Sequence, residues 1–178
     1  SATLDGDPVA ALMGDVPLVT SAGRAHPVQT RFLARPEPRR FIDAVVAAIR
    51  QALAEDDGDV LAFLPGSGEI RRVQAGLAGI AAEVLPLYGD LSQADQDRAI
   101  RPLAGGRRKV VLATSIAETS LTIDGVRVVV DGGLMRLPRF DPSSGMTRLV
   151  TVPVSRASAD QRRGRAGRQA PGTCWRLW

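Results

Sequence analysis

The sequence predicts an α/β domain in which a mainly parallel sheet is covered by helices on both faces, with one β-hairpin projecting from it. Three observations carry that expectation. Apolar runs alternate with helical patterns through most of the chain, the order expected of strands joined by crossover helices. The runs are nearly all apolar rather than alternating, which suits strands buried on both faces. With 178 residues, 44% of them apolar and 24% charged, the chain has the size and composition of one ordinary folded domain, which excludes disorder, coiled coil and collagen.

At the N-terminus, Asp7 as a cap, Pro8 in the first turn and Gly14 as a stop predict a short helix. A strand over Val16 to Thr20 and a linker from Gly23 to Pro27 follow. Pro36 and Pro38 introduce the first long helix, whose Phe41, Val45, Ala48, Ile49, Ala52 and Leu53 recur at helical spacing. Val60 to Leu64 is the next strand. Ile70, Val73, Leu77, Ile80 and Ala81 predict a second core-facing helix, and Val84 to Tyr88 another strand. Ser92 with Asp95 resembles a capping box opening a helix through Ile100, which Pro102 ends. Val110 to Ala113 and Val126 to Val130 are strands. Residues 136–154 lack helical periodicity, and Asp141-Pro142-Ser143-Ser144-Gly145 is turn chemistry, so this stretch reads as the projecting hairpin. A last strand starts after Pro171-Gly172, with Cys174, Trp175 and Trp178 expected in the core and His26 expected to be structural.

Composition excludes several function classes. No apolar stretch approaches the roughly 18 to 20 residues of a membrane helix, and no secretory signal pattern is present, so a soluble, cytoplasmic protein with no membrane partner is expected. One cysteine, Cys174, excludes a disulfide framework, and with His26 as the sole histidine a His/Cys zinc site is excluded too; no metal is expected on the protein's own ligands. Of 23 basic residues only Lys109 is a lysine, against 19 acids, for a net charge of +4. GC-rich codons produce the same arginine bias, so position matters more than the total. Arg156, Arg162, Arg163, Arg165 and Arg168 form one cluster and Arg107, Arg108 and Lys109 another, and both suit phosphate. Aromatic residues are only 4%, which favours contact with a nucleic-acid backbone over base stacking.

Three segments carry chemistry. In Ser158-Ala-Asp-Gln-Arg-Arg-Gly-Arg-Ala-Gly-Arg168 a helix places Gln161, Arg165 and Arg168 on one face, an amide and two guanidiniums able to clamp a triphosphate. Gly164 and Gly167, each costing about 1 kcal/mol in a helix, suggest close approach by backbone or ligand. A solvated basic helix end, with Ser158 and Gln161 as a capping box, is the plainer alternative. In Ala113-Thr-Ser-Ile-Ala-Glu-Thr-Ser-Leu-Thr-Ile-Asp-Gly125, a hydroxyl-rich loop leaves the carboxyl end of a strand, where ligands gather in such sheets. Thr114, Ser115, Thr119, Ser120 and Thr122 offer hydroxyls to phosphate or ribose and Asp124 a carboxylate, although turn and cap roles explain such residues equally well. Phe63-Leu-Pro-Gly-Ser-Gly-Glu-Ile70 brings a glycine turn to a helix start, whose amides suit phosphate. No G-x-x-x-x-G-K-[ST] loop occurs, so the chain by itself is not expected to hydrolyse ATP.

Taken in order, FLPGSGEI, PLYGDLSQADQDRAI, ATSIAETSLTI and SADQRRGRAGR resemble motif IV, the motif after it, motif V and motif VI in the C-terminal motor lobe of DEAH-box helicases of superfamily 2. ASADQRRGRAGR, GTCWRLW and VVVDGGLMRLPRFDPSSGMTRL are most similar to the bacterial HrpB-type group. The resemblance implies a RecA-like three-layer sandwich. Ser1-Ala2-Thr3 with Leu4-Asp5-Gly6 is similar to motif III, so residues 1–24 are expected to be the tail of a first lobe and residues 25–178 the second lobe. The phosphate-binding loop and the magnesium-holding acidic motif would lie upstream of Ser1.

The roles implied follow position by position. Arg165 and Arg168 would reach the γ-phosphate of ATP and Gln161 would position the attacking water. Ser120 would sense the γ-phosphate, and Thr122 and Asp124 would lie by the ribose and the water. Thr114 and Ser115 would hold the RNA backbone, assisted by Gly66 and Ser67. ATP with magnesium held mainly by the first lobe, RNA or DNA, and that first lobe are the implied ligands and partners of a likewise expected monomer. Ser115 stands where the family usually has asparagine and Ile100 where many relatives have an adenine-stacking phenylalanine. A non-catalytic basic α/β nucleic-acid-binding module is the alternative from another class.

Overall fold

The computed structural model describes residues 6–14, 16–17, 26–118 and 121–178. The motif III resemblance at Ser1-Ala2-Thr3, most of the expected strand over 16–20, the boundary at 24–25, and Thr119 and Ser120 lie outside the described residues. A short helix does form at the N-terminus, α1 (Gly6–Leu12), with Asp7 in its first turn and Gly14 at φ 86° behind it.

The remaining elements run β1 (Val28–Phe32), α2 (Phe41–Glu55), β2 (Asp59–Phe63), α3 (Ser67–Gly76), β3 (Glu83–Leu87), α4 (Gln93–Ile100), β4 (Lys109–Ala113), β5 (Val126–Asp131), β6 (Leu134–Asp141), β7 (Met146–Pro153), α5 (Arg156–Gly164) and β8 (Gly172–Arg176). Six strands form one sheet in the order β1-β8-β5-β2-β4-β3, every neighbouring pair parallel. β6 and β7 pair antiparallel in a separate two-stranded sheet, the expected hairpin, in the register Leu134 opposite Pro153 through Asp141 opposite Met146.

Alternation along the central strands divides the core into two layers. Val60, Ala62, Val110, Leu112, Val128 and Val130 point to the side where α2 and α3 bring Val45, Ile49, Ile70 and Val73. Leu61, Phe63, Val111, Ala113 and Val129 point to the other side, against Ala99 of α4, Ala117 and Ala166. Val60–Phe63, Val110–Ala113 and Val128–Val130 are therefore unbroken apolar runs, because both faces of these strands are covered.

The edges depart from expectation. β1, to which the sequence reading assigns no element, has only two strongly apolar residues, Val28 and Phe32, flanking Gln29, Thr30 and Arg31, and is only partly buried, as suits an edge strand. β3 is the opposite edge and is only half-buried, not covered on both faces; Pro86, which lacks an N–H, is tolerated there. α3 stops at Gly76 rather than reaching Ala81, since Gly79 takes φ 80° and turns the chain, while Leu77 still packs into the core. The N-cap half of the expected capping box forms at α4, with Ser92 Oγ accepting from Asp95 N at 3.2 Å, while Asp95 Oδ2 accepts from Ser92 Oγ at 2.6 Å.

Lys109 explains the other end of α4. Its side chain is fully buried, and Nζ donates to the carbonyls of Ala99 (3.0 Å), Ile100 (3.1 Å) and Arg101 (2.6 Å), satisfying a helix terminus that otherwise lacks donors. Burial pushes its pKa below the ordinary lysine value, while Asp59 and Asp124 act the other way. Cys174 and Trp175 lie in the core as expected, but Trp178 is 37% exposed beyond the end of β8. The strand ends at Arg176, so Trp178 has no sheet neighbour to cover it.

Candidate nucleotide and nucleic-acid site

Serine 155, not Ser158, opens the arginine-rich helix: Ser155 Oγ accepts from Ser158 N at 3.1 Å. The capping-box alternative for Ser158 and Gln161 is thereby replaced. Ser158 Oγ instead donates to Glu118 Oε2 at 2.7 Å. α5 ends at Gly164 and continues as a 3-10 turn, Arg165–Gly167, so the ideal α-helical face drawn through Gln161, Arg165 and Arg168 is tightened at its last turn. A side chain at Gly167 would run into His26 O, and His26 N donates to Gly167 O at 2.9 Å, which is the close backbone approach expected there. Gly164 faces open space and makes no such approach.

The two arginines differ. Arg165 is only 5% exposed, with Nη1 on Leu121 O at 2.6 Å and Nη2 on Glu118 O. Burial, then the neighbouring charge of Arg168, pulls its pKa down to about 10, so it remains charged at neutral pH. Arg168 is exposed and donates from Nη1 to Thr122 Oγ1 at 2.8 Å. Gln161 is half-buried one turn before Arg165 and has no hydrogen-bonding side-chain partner among the described residues. Arg163 turns away, its Nη1 reaching Val28 O at 3.5 Å. Asp124 accepts from Gln169 Nε2 at 2.8 Å, and Gly125 N donates to Gln169 Oε1 at 3.0 Å. Thr122, Asp124, Arg165 and Arg168 are thus joined around one loop.

Gly66, Ser67, Thr114 and Ser115 converge at the other end of that loop. β2 and β4 are neighbours, and Leu64 N donates to Ala113 O at 2.8 Å, so the segments beginning at Pro65 and Thr114 leave the sheet side by side at its carboxyl edge. Gly66 is the N-cap of α3 and Ser67 its first residue; Thr114 is half-buried and Ser115, exposed, starts a 3-10 turn over Ser115–Glu118. A side chain at Gly66 would overlap the guanidinium of Arg136, which pairs with Glu69 at 3.1 Å. A cavity of about 650 Å³ lies nearby, between Pro65, Phe41, Gly132, Leu134, Pro153 and Trp178, and away from Arg165 and Arg168.

Sequence reasoning missed four residues. Arg162 is fully buried, with Nε on Glu118 Oε1 at 2.7 Å and Nη1 on Asp131 Oδ1 at 2.8 Å, and Gln169 braces Asp124. Arg162, grouped by sequence with the arginines suited to phosphate, lies one helical step of about 100° from Gln161, and that angle directs it into the domain; an acid on the adjacent loop, Glu118, is the signal the sequence offers. Among the described residues no cluster of three His, Cys, Asp or Glu suits a metal ion. The groups present, guanidiniums and hydroxyls with one carboxylate, fit a phosphate ester and its sugar rather than a divalent cation.

A parallel six-stranded sheet layered by helices, with hydroxyl and arginine loops at one end and a projecting hairpin, defines a RecA-like α/β domain. The chain belongs to the family described as the helicase conserved C-terminal domain, which matches residues 42–170, and its sequence and fold are of the DEAH kind. It is 54% identical over 175 residues to the ATP-dependent RNA helicase HrpB of Escherichia coli, covering 97% of this chain and 22% of that protein. It is 42% identical over 188 aligned positions to the pre-mRNA-splicing factor ATP-dependent RNA helicase prp22 of Schizosaccharomyces pombe, covering 100% of this chain and 16% of that one. The crystal structure of the Escherichia coli DEAH/RHA helicase HrpB superposes with a TM-score of 0.89 at 52% identity, over 99% of this chain and 23% of the other. The chain therefore spans about a fifth of the length of these relatives.

Proposed function

We propose that residues 25–178 are the second motor lobe of an ATP-driven RNA (or DNA) helicase, with residues 1–24 the tail of the first lobe. The observation that carries this reading is the loop 114–125. It starts at the hydroxyls beside Gly66 and Ser67, ends at Thr122 and Asp124, and is held at Glu118, Leu121 and Thr122 by Arg165 and Arg168. One loop thus joins a surface suited to a nucleic-acid backbone to a surface suited to a nucleotide.

ATP, bound with magnesium held mainly by the first lobe, supplies the transferable phosphoryl group. Arg168 exchanges Thr122 Oγ1, and Arg165 the carbonyls of Glu118 and Leu121, for phosphate oxygens, so both act as arginine fingers that neutralise charge as it develops. Gln161, without a side-chain partner of its own, orients the attacking water. Ser120 senses the γ-phosphate, and Thr122 and Asp124 lie by ribose and water. Gly66, Ser67, Thr114 and Ser115 grip the backbone, and the lobes close and part with each cycle. The protein works as a cytoplasmic monomer; among the described residues no helix is long and apolar enough to cross a membrane.

The test is ATP hydrolysis by the two-lobed natural protein, with and without RNA and DNA, beside this chain alone. Nucleic-acid-stimulated turnover in the longer protein and none above background here is the expected result. Steady turnover by this chain that Arg168→Ala abolished would overturn it, and so would a longer protein that binds RNA without hydrolysing ATP.

A further inference from the structure

Arg162 is the largest fully buried side chain among the described residues, and three segments meet on it. Its Nε and Nη2 face Glu118 Oε1 at 2.7 and 2.6 Å, on the loop that carries Thr122 and Asp124. Its Nη1 faces Asp131 Oδ1 at 2.8 Å and Leu134 O at 3.2 Å, at the end of β5 and the root of the hairpin. Its own helix also carries Gln161, its neighbour in sequence, and Ser158, one turn earlier on the same face and the second partner of Glu118. The ring of Phe63 lies 4.9 Å beneath the guanidinium. Asp131 is itself fully buried, and Oδ1 also accepts from Gly133 N at 2.9 Å.

Stability alone does not account for this junction. One guanidinium and two carboxylates are withdrawn from water, and Asp131 Oδ2 still has no hydrogen-bond partner. Desolvating such groups costs about as much as their attraction returns, and apolar packing of the same volume serves stability equally well. What the ions add is geometry: a planar fork that fixes two carboxylates at once in a single arrangement.

We propose that Arg162 is a positioning residue that couples the loop 114–125 to the root of the hairpin. It rests on the function proposed above for the direction of the coupling, from nucleotide to hairpin, but not for its existence. Through Glu118 it sets the loop against Gln161, Arg165 and Arg168. Through Asp131 and Leu134 O it ties the hairpin root to the same point, so a displacement of the loop displaces the hairpin.

The experiment uses the two-lobed natural protein with the near-isosteric Glu118→Gln and Asp131→Asn, each read by amide exchange and by steady-state kinetics. Glu118→Gln should speed exchange at Gly133 and Val154, the amides that hold the hairpin root, by about tenfold relative to Val60 and Leu112 of the sheet. Asp131→Asn should do the same at Ala117 and Gly125 of the loop. In both variants kcat should fall by roughly tenfold with KM for ATP little changed. Exchange that rises only on the side of the substitution, or uniformly across the sheet, overturns the coupling and leaves Arg162 a structural residue. Should either variant fail to fold, Ser158→Ala, which loosens Glu118 without touching an ion, gives the same reading at Gly133 and Val154. Absence of stimulated turnover in the unaltered protein removes the proposed function, whereas the exchange pattern decides the role of Arg162 independently.

Discussion

Arg168 Nη1 lies 2.8 Å from Thr122 Oγ1, so an exposed cation of the arginine-rich turn rests on a hydroxyl of the facing loop. A neutral, solvent-accessible acceptor is an easily displaced partner for a guanidinium, and a phosphate oxygen is a stronger one. Arg165, three residues earlier, is itself buried and committed to two part-buried carbonyls. In the two-lobed protein Arg168→Ala or Arg165→Ala should therefore lower turnover at saturating RNA by roughly two or more orders of magnitude, with a modest change in RNA affinity. Arg163→Ala should cost far less, since its guanidinium points to Val28 O. Turnover of the three variants at saturating RNA checks this, and equal mild effects would remove the roles proposed for Arg165 and Arg168. Arg165→Ala should also destabilise the domain, because it strips donors from two part-buried carbonyls and empties a buried site, so its Tm has to be read beside its turnover.

Cys174 should be chemically silent in the native domain. It is fully buried on β8, and burial, reinforced by the charge of Asp131, pushes its thiol up to about 12. The thiolate is the reactive form, so a disulfide reagent at pH 8 should leave the folded chain unmodified and label one thiol per chain after denaturation. Rapid labelling of the native protein would mean that β8, between β1 and β5, opens readily.

The central strands and the hairpin were legible because each has a local signature: unbroken apolar runs for strands covered on both faces, and Asp141-Pro142-Ser143-Ser144-Gly145 for a turn. β1 was not, because an edge strand needs only half an apolar face and Val28-Gln29-Thr30-Arg31-Phe32 has little more. The candidate site is legible only as residue types in order, through Gly66 and Ser67, Thr114 and Ser115, and the arginine run. The partners of those residues are not. Glu118, Asp131 and Arg162 meet across 31 and 44 residues of sequence, and Gln169 reaches Asp124 across 45, distances at which spacing carries no information. Lys109 shows the same limit: the only lysine reads as part of a basic cluster, yet it is a helix cap buried against α4.

The hairpin turn should weaken in acid. Asp141 Oδ1 accepts from Ser143 Oγ at 2.7 Å and Ser143 N at 3.0 Å, and these bonds hold its carboxyl below the ordinary aspartate value. For a carboxylate with a depressed pKa, the stabilisation is complete above the ordinary value and is lost as pH falls through the lower, folded one. The amide shifts of Ser143 and Ser144 should then move together in that acidic window, and Ser143→Ala should shift the transition to higher pH. A transition that stays in place in Ser143→Ala would show that the hydroxyl does not set it.

Binding of single-stranded RNA by this chain should be weak, indifferent to sequence and steeply salt-dependent. Gly66, Ser67, Thr114 and Ser115 present backbone amides and hydroxyls, which recognise phosphate and sugar, and phosphate contact carries no base information. Among the described residues the large exposed aromatic beside this surface is Trp178, but its ring faces the Arg176 guanidinium at 5.0 Å and packs against Gly133, so it offers no open stacking platform. The charged share of binding comes from arginines, each phosphate neutralised adding close to 0.7 to the slope of log affinity against log salt for a single strand. Ser67→Ala and Thr114→Ala remove neutral donors. They should lower affinity for every sequence by a similar factor and leave that slope unchanged, as measured by titration at several salt concentrations. A changed slope would place a cation in the contact made by those hydroxyls, and a preference for one sequence would mean that a base is being read by a group the site as described does not contain.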